Sequence, residues 1–501
     1  MLSFIKKHSL FLVFILLTVF SSFSSTWITI ALTIPSLVSK ILTVFVYSPF
    51  IAAIIWKLID DISNLKTKKI DSLFLLYYIF AAYYGILTIY RFATGAEVKE
   101  NMYYTLVLLG SIAIFSLIHS NRLSVTKESL CFDLVGIVIY LVLYWLWYYY
   151  IGSSTFLNQP INSNLLSGSL GLLLPFLLSV ICDKNTPKYF VFISAVAAVL
   201  SIAIIVATGA RAIFFLSAFT IVVILFCSLF SKKCFLRIFG VVACSVILVA
   251  ILVATNSWNI RYALYRETGI AFSASSLADT TPSDVQETTN IASSESQSQV
   301  STHVSTTDSS VSDPVTVAPP ATDPPAAEPV TTAPPATDPP ATEPVTTAPP
   351  TSNPVQDAAL DQIGRSDYMR SVLVSWGMDE IYKNPFFGTG NVTFLYVLNA
   401  ERAVEQSSHN FIIETIICYG LIGLVLLAAL VSIIVIKTGI FSKDSASQWL
   451  YKISVGLTII YYLALGLVQP TVYAPMICLL FMLLLNVHAK LFSKTDSNCE
   501  G

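Results

Sequence analysis

A chain of 501 residues that is 55% hydrophobic and 12% charged is excluded from the soluble globular class, where about a quarter of residues carry charge. It reads as a polytopic membrane protein. The formal net charge of -2 identifies no partner, because acidic residues gather in one long loop, and nucleic acid is not among the expected partners. Of the cysteines, Cys131, Cys227, Cys244, Cys418 and Cys478 lie in apolar runs, none falls between Trp258 and Glu405, and no metal-type spacing occurs. The exported part is therefore expected to depend on no disulfide and on no metal or other cofactor.

Taken in order, the chain shows apolar segments of about 20 residues, the length that crosses a bilayer, over residues 9–33, 41–57, 72–91, 102–119, 131–150, 164–182, 188–208, 211–231, 236–256, 407–436, 449–468 and 474–489. The first is too long for a signal-peptide core, and a second span follows at once. The expected fold class is an all-α polytopic membrane protein of about 12 transmembrane helices with one large external loop, largely disordered. Residues 1–256 form a membrane domain, 257–406 the loop, and 407–501 the last three helices and a cytoplasmic tail.

Lysines and arginines set the orientation. With Met1 in the cytoplasm, eighteen of them fall inside, whereas the short outer loops hold only Lys40, Arg91, Lys99 and Arg211, the bias of the positive-inside rule. Both termini are expected in the cytoplasm and the long loop outside.

Within that loop, residues 271–354 are rich in Ser, Thr, Pro and Ala and carry no lysine or arginine. Such a composition buries too little apolar surface to offset its ordering entropy. The unit PVTTAPPATDPPATE recurs with a 15-residue period from Pro314, Pro329 and Pro344, which reads as an extended spacer and not a solenoid. The spacer is either a tether in a cell wall or a tolerated insertion.

Polar chemistry concentrates beyond the spacer, between Gly364 and Gly423. Met369, Val372, Leu373, Trp376 and Ile381 have helical spacing over Ser366–Tyr382, and NPFFGTG then stops the helix with Pro385 and its glycines. The ordered part of the loop is expected at 364–406. SSHNFIIETIICYGLIG follows, with a His–Asn pair opening an apolar helix.

In order, Asn164 in NSNLLSGSLGLLLPF, Arg211 in ATGARA, Arg370 ahead of NPFFGTG, and SHNFIIETIICYGLIG give a pattern that resembles the O-antigen ligase and Wzy-type polysaccharide polymerase superfamily. The chain departs from that pattern in having Val374 where an aromatic often follows the arginine, with Trp376 two residues on. The resemblance implies metal-independent, inverting transfer of a glycan from a polyprenyl-diphosphate carrier to an acceptor hydroxyl, on another glycan or a cell-wall polymer, at the outer face of the membrane. Taken with the residue chemistry that follows, the expected catalytic residues are His409, Arg370 and Arg211, with Arg365, Arg266, Asn164, Asn410 and Glu414 expected to bind substrate.

The residue types suit that chemistry. Guanidinium groups hold phosphate oxygens bidentately and stay charged at any working pH, so Arg211 and Arg370 fit a leaving diphosphate. The plain alternative for Arg211 is an arginine snorkelling from a helix end, and for Arg370 a solvated loop residue. Arg365 competes with Arg370, but five residues along a helix turn the two about 140° apart. Arg261 and Arg266 lie near the membrane surface before the spacer and are weaker clamps. Of the five histidines, His8, His119 and His488 fall on the cytoplasmic side and His303 in the spacer, which leaves His409 as the base for an acceptor hydroxyl. Asn410 and Glu414, four residues apart, share a helix face and shape the site.

Other features are bland. YWLWYYY at Tyr144–Tyr150 reads as an interfacial aromatic belt. No glycine-rich phosphate loop and no HExxH or CxxC motif occurs. The rival function is a transporter or flippase of lipid-linked oligosaccharides, which should place ionisable residues at the bilayer midplane; the expected spans contain almost none. A third reading, an inert wall-anchoring protein, leaves the arginines and His409 without a task.

Overall fold

The computed structural model describes residues 8, 10–17, 36–64, 71–95, 99–123, 126–150, 163–183, 186–255, 257, 260, 261, 263, 264, 354–399, 402–441, 449–468 and 474–493. The contacts given below lie within Met1–Ala271 and Ala359–Gly501, which form one compact unit; of the other, Phe272–Ala358, only the start of one helix is described. The spacer over 271–353, Arg266 and most of the first apolar segment lie outside the described residues.

After a short helix over 10–17, the helices in chain order are α1 (Ser36–Ser63), α2 (Ser72–Ala93), α3 (Lys99–His119), α4 (Lys127–Tyr150), α5 (Ser163–Cys182), α6 (Lys188–Thr208), α7 (Arg211–Ser228), α8 (Lys232–Ala254), α9 (Pro354–Lys383), α10 (Phe411–Lys437), α11 (Trp449–Val468) and α12 (Pro475–Ser493). Nine of the described helices are long and apolar enough to cross a membrane. One antiparallel hairpin interrupts the helical fold, with β1 (Thr393–Asn399) paired to β2 (Arg402–Ser407) from Thr393↔Ser407 to Asn399↔Arg402. The apolar-run reading missed it because it lies in the polar loop.

Helix ends follow local chemistry. Asp71 caps α2 by accepting the Phe74 N–H at 2.8 Å. Gly209, with φ of 59°, ends α6 in the left-handed region, and α7 begins two residues later at Arg211. Helix α9 starts at Pro354, twelve residues ahead of the expected Ser366, and stops at Lys383 where Asn384-Pro385 begins. Pro at its first position costs nothing, since the first N–H groups of a helix have no partner in it.

Helix α5 is almost wholly enclosed and packs against α6, α7, α11 and α12. Ser194, Ala197, Ala198 and Ser201 are buried on α6, a stripe of small side chains that lets the α5 and α6 backbones approach. α1 packs on α3, α3 on α12, and α2 on α10. Outward faces of α2, α7 and α8 expose Ile86, Phe219, Val222, Val246 and Ile251, the reverse of a soluble surface and what a lipid-facing wall requires.

One expectation is corrected. The spans were read as nearly free of charge, yet Lys57 and Asp61 form a buried ion pair 2.8 Å apart on α1, and the buried Asp133 of α4 shares a 2.5 Å hydrogen bond with the His8 ring. The first pair was missed because α1 runs on to Ser63, past the expected end at residue 57. One disulfide, Cys182–Cys234, joins the last residue of α5 to the start of α8.

Candidate functional site

Contacts between helices place several helix ends together. Lys437 at the end of α10 pairs with Asp71 at the start of α2, 2.8 Å apart, so those helices run antiparallel. Ile440, just past α10, adjoins Gly456 in the first half of α11; Gly168 and Gly171 of α5 pack on Leu465 and Tyr461 of α11 in reverse order, and Cys182–Cys234 joins the end of α5 to the start of α8, which follows directly on the end of α7. Hence the starts of α5, α7 and α10, with Asn164, Arg211 and Asn410, lie at one end of the bundle, and the end of α2 lies there too. Asn164 and Arg211 are half-buried. Arg211 is the first residue of α7, where a helix dipole disfavours a cation by about 0.3–1 kcal/mol, so dipole energetics do not account for its position.

At this end a second apolar core, separate from the main one, gathers Tyr84, Leu373, Ile381, Val392, Phe394, Ile413, Ile417 and Tyr419, with Trp376 against Phe394 at 6.1 Å between ring centroids. Gly377 brings α9 so close to the start of α10 that a Cβ would stand 2.6 Å from Ile413 Cγ2. The hairpin closes at Thr393↔Ser407 and delivers the chain to Ser408. The turn from strand to helix takes three residues. His409 adopts φ of 54°, in the left-handed region where His is enriched among non-glycine residues. Asn410 then caps α10, its Oδ1 accepting the N–H groups of Ile412 at 3.0 Å and Ile413 at 3.3 Å.

Arg370, exposed on α9, is near enough for its charge to act on the His409 ring. The half-buried imidazole has its pKa held below the ordinary 6.5, first by burial and then by the Arg370 guanidinium. The ring is therefore neutral at neutral pH and able to accept a proton. Glu414 is fully buried behind it. The Ser407 and Ser408 hydroxyls and the His409 N–H face its carboxyl group; Ser408 Oγ donates to Oε1 at 3.5 Å, and Oε2 is left unpartnered. Asn410 and Glu414 thus act on the backbone that carries His409. Arg365 is in α9, five residues ahead of Arg370.

Sequence reasoning missed the groups that hold this turn in place. Helix α10 is broken at Gly420, with φ of 69° and ψ of 179°, and the NPFFGTG loop lies across the break. Gly390 N–H donates to the Ile417 carbonyl at 2.9 Å; Leu421 N–H donates to Pro385 O at 2.8 Å and Ile422 N–H to Phe386 O at 3.4 Å. Arg91, expected in a short loop, is buried in the last turn of α2 and donates to Phe387 O at 2.9 Å and Ile417 O at 3.5 Å. Asn101 donates to Gly390 O at 2.9 Å and accepts the Cys418 thiol at 2.8 Å, and Tyr83 donates to Tyr419 O at 2.6 Å.

The backbone carbonyls at the end of the Phe411–Tyr419 half-helix carry the negative end of its dipole, which is what a buried guanidinium without a carboxylate needs. Arg91→Met should lower stability by about 1–3 kcal/mol, the cost of leaving the Phe387 carbonyl unmet while Ile417 O keeps only the Gly390 N–H. The loss stays below the about 3–5 kcal/mol of a half-broken buried ion pair, since the desolvated charge leaves too. Thermal unfolding of the detergent-solubilised chain measures it. Compared with known proteins, the chain matches no family model, no curated protein and no solved structure.

Proposed function

We propose that the chain is a membrane glycosyltransferase of the O-antigen ligase/polymerase type. It spans a bacterial cell membrane about twelve times, with both termini cytoplasmic and the long loop outside. It transfers a glycan from a polyprenyl-diphosphate carrier to an acceptor hydroxyl during envelope polysaccharide synthesis. The observation that carries this reading is a half-buried His409 at the turn into α10, within reach of the charge of Arg370 on α9. His409 takes the proton of the acceptor hydroxyl as its oxygen forms the new bond to the anomeric carbon. The anomeric carbon–phosphate oxygen bond breaks on the opposite face, and the electron pair leaves with the diphosphate, which Arg370 and Arg211 hold.

The orientation puts the Cys182–Cys234 bond on the cytoplasmic side, where thiols are ordinarily kept reduced. The second reading, a transporter of lipid-linked oligosaccharides, draws on the buried Lys57–Asp61 and His8–Asp133 pairs. Lys57 and Asp133 each stand six residues from a helix end, about 9 Å, well short of a midplane. The purified full-length chain in proteoliposomes, given a polyprenyl-diphosphate-linked glycan and a hydroxyl acceptor, should consume the donor and release polyprenyl diphosphate. An intact donor that only changes leaflet would overturn the transferase reading in favour of transport.

A further inference from the structure

Phe386 and Phe387, in the middle of NPFFGTG, present their rings outward, 60% and 48% exposed, and Phe92 at the end of α2 is 80% exposed. These rings are fixed relative to the helices that read as membrane spans. Arg91, next to Phe92, bonds the Phe387 carbonyl, and the Phe386 carbonyl accepts from Ile422 of α10. On α2 the exposed row continues through Ile89 and Ile86, and on α10 through Ile422 and Val425. The aromatic patch is therefore continuous with the outward apolar faces of both spans. Its polar limit is sharp: Lys383, paired with Glu380, stands three residues before Phe386.

The break beneath these rings is treated as a membrane would demand. In hydrocarbon an irregular backbone is tolerated only where its freed N–H and C=O groups are met by protein. Around Gly420 the carbonyls of Ile417 and Tyr419 and the N–H groups of Leu421 and Ile422 all find protein partners, as do the carbonyls of Pro385, Phe386, Phe387 and Gly390. A loop in water has no need of a buried arginine and an asparagine for its carbonyls.

We infer that the NPFFGTG loop is immersed at the headgroup–acyl boundary of the bilayer, its Phe386 and Phe387 rings against lipid beside Phe92 of α2. Phe, with Trp and Leu, forms the apolar faces that sink into this headgroup–acyl layer. The partner is the bilayer lipid itself, and the inference holds whatever reaction the adjoining site performs.

The test places p-benzoylphenylalanine at position 386, 387 or 92 of the full-length chain, reconstituted in phosphatidylglycerol/phosphatidylcholine vesicles. Position 425 on α10 serves as the lipid-facing reference. Irradiation and intact-mass measurement should give phospholipid adducts at 386 and 387 in the range seen at 425. Adducts at 425 with none at 386 and 387 would overturn the inference, as would crosslinks from 386 and 387 only to the chain's own 272–353 segment. Because all three positions are exposed and keep an aromatic ring, the substituted chains retain the fold, and a normal yield from position 92 checks this.

Discussion

Replacing His409 by asparagine should reduce glycan transfer by about 10² to 10⁴, the range for loss of a general base, while the protein stays folded. The choice of residue matters. His409 has φ of 54°, a conformation that asparagine tolerates and that costs most L-residues about 1–2 kcal/mol. His409→Asn therefore keeps the turn and removes the imidazole, whereas His409→Ala mixes a catalytic loss with a conformational one. Thermal unfolding next to turnover of the polyprenyl-linked donor separates the two. The pH profile gives a second readout. Burial and Arg370 hold the imidazole below 6.5, and the base works when neutral, so activity should persist at pH 6.5 and fall as the pH drops through the lowered value. An acid limb centred above 6.5 would assign the proton transfer to another group.

The largest loss of stability should come from Gly420→Ala. Its φ of 69° and ψ of 179° lie where only glycine is at ease, a strain of about 1–3 kcal/mol for other residues. In addition, a Cβ there would stand 1.9 Å from the carbonyl oxygen of Phe386 and 2.5 Å from the nitrogen of Phe387. These are backbone atoms held by Ile422 and by Arg91, so they cannot swing aside as a side-chain tip would. Strain and overpacking together should cost about 3–5 kcal/mol, read as a lower unfolding temperature and loss of monodisperse protein in detergent. Gly240→Ala is the control, with open space around its Cβ position and no positive φ, and should raise stability by up to about 1 kcal/mol, the helix preference for Ala over Gly.

Much of the helical frame was legible because a bilayer imposes one simple demand, an apolar run of sufficient length, and the runs starting at residues 72, 188 and 449 coincide with α2, α6 and α11. His409 was legible by elimination among five histidines, and the stop at Lys383 by the proline and glycines that follow it. What stayed hidden depends on contacts remote in sequence. Arg91 counted as one more charge beside a span, and nothing near it announces carbonyl partners 296 and 326 residues away. Gly420 sat inside ICYGLIG, where a glycine in an apolar run reads as a tolerated helix residue costing about 1 kcal/mol; only the arrival of NPFFGTG makes it a break. Asn410 and Glu414 were paired by their four-residue spacing, but the asparagine spends its oxygen on the helix start.

The bond between Cys182 and Cys234, 52 positions apart in the chain, closes a covalent ring that encloses α6 and α7 and with them Arg211. By chain entropy such a closure disfavours the unfolded chain by about 4 kcal/mol. A backbone nick anywhere inside the ring would leave the two fragments tethered until a reductant parts them, so the helix that carries Arg211 stays attached to α5 even in a cleaved molecule.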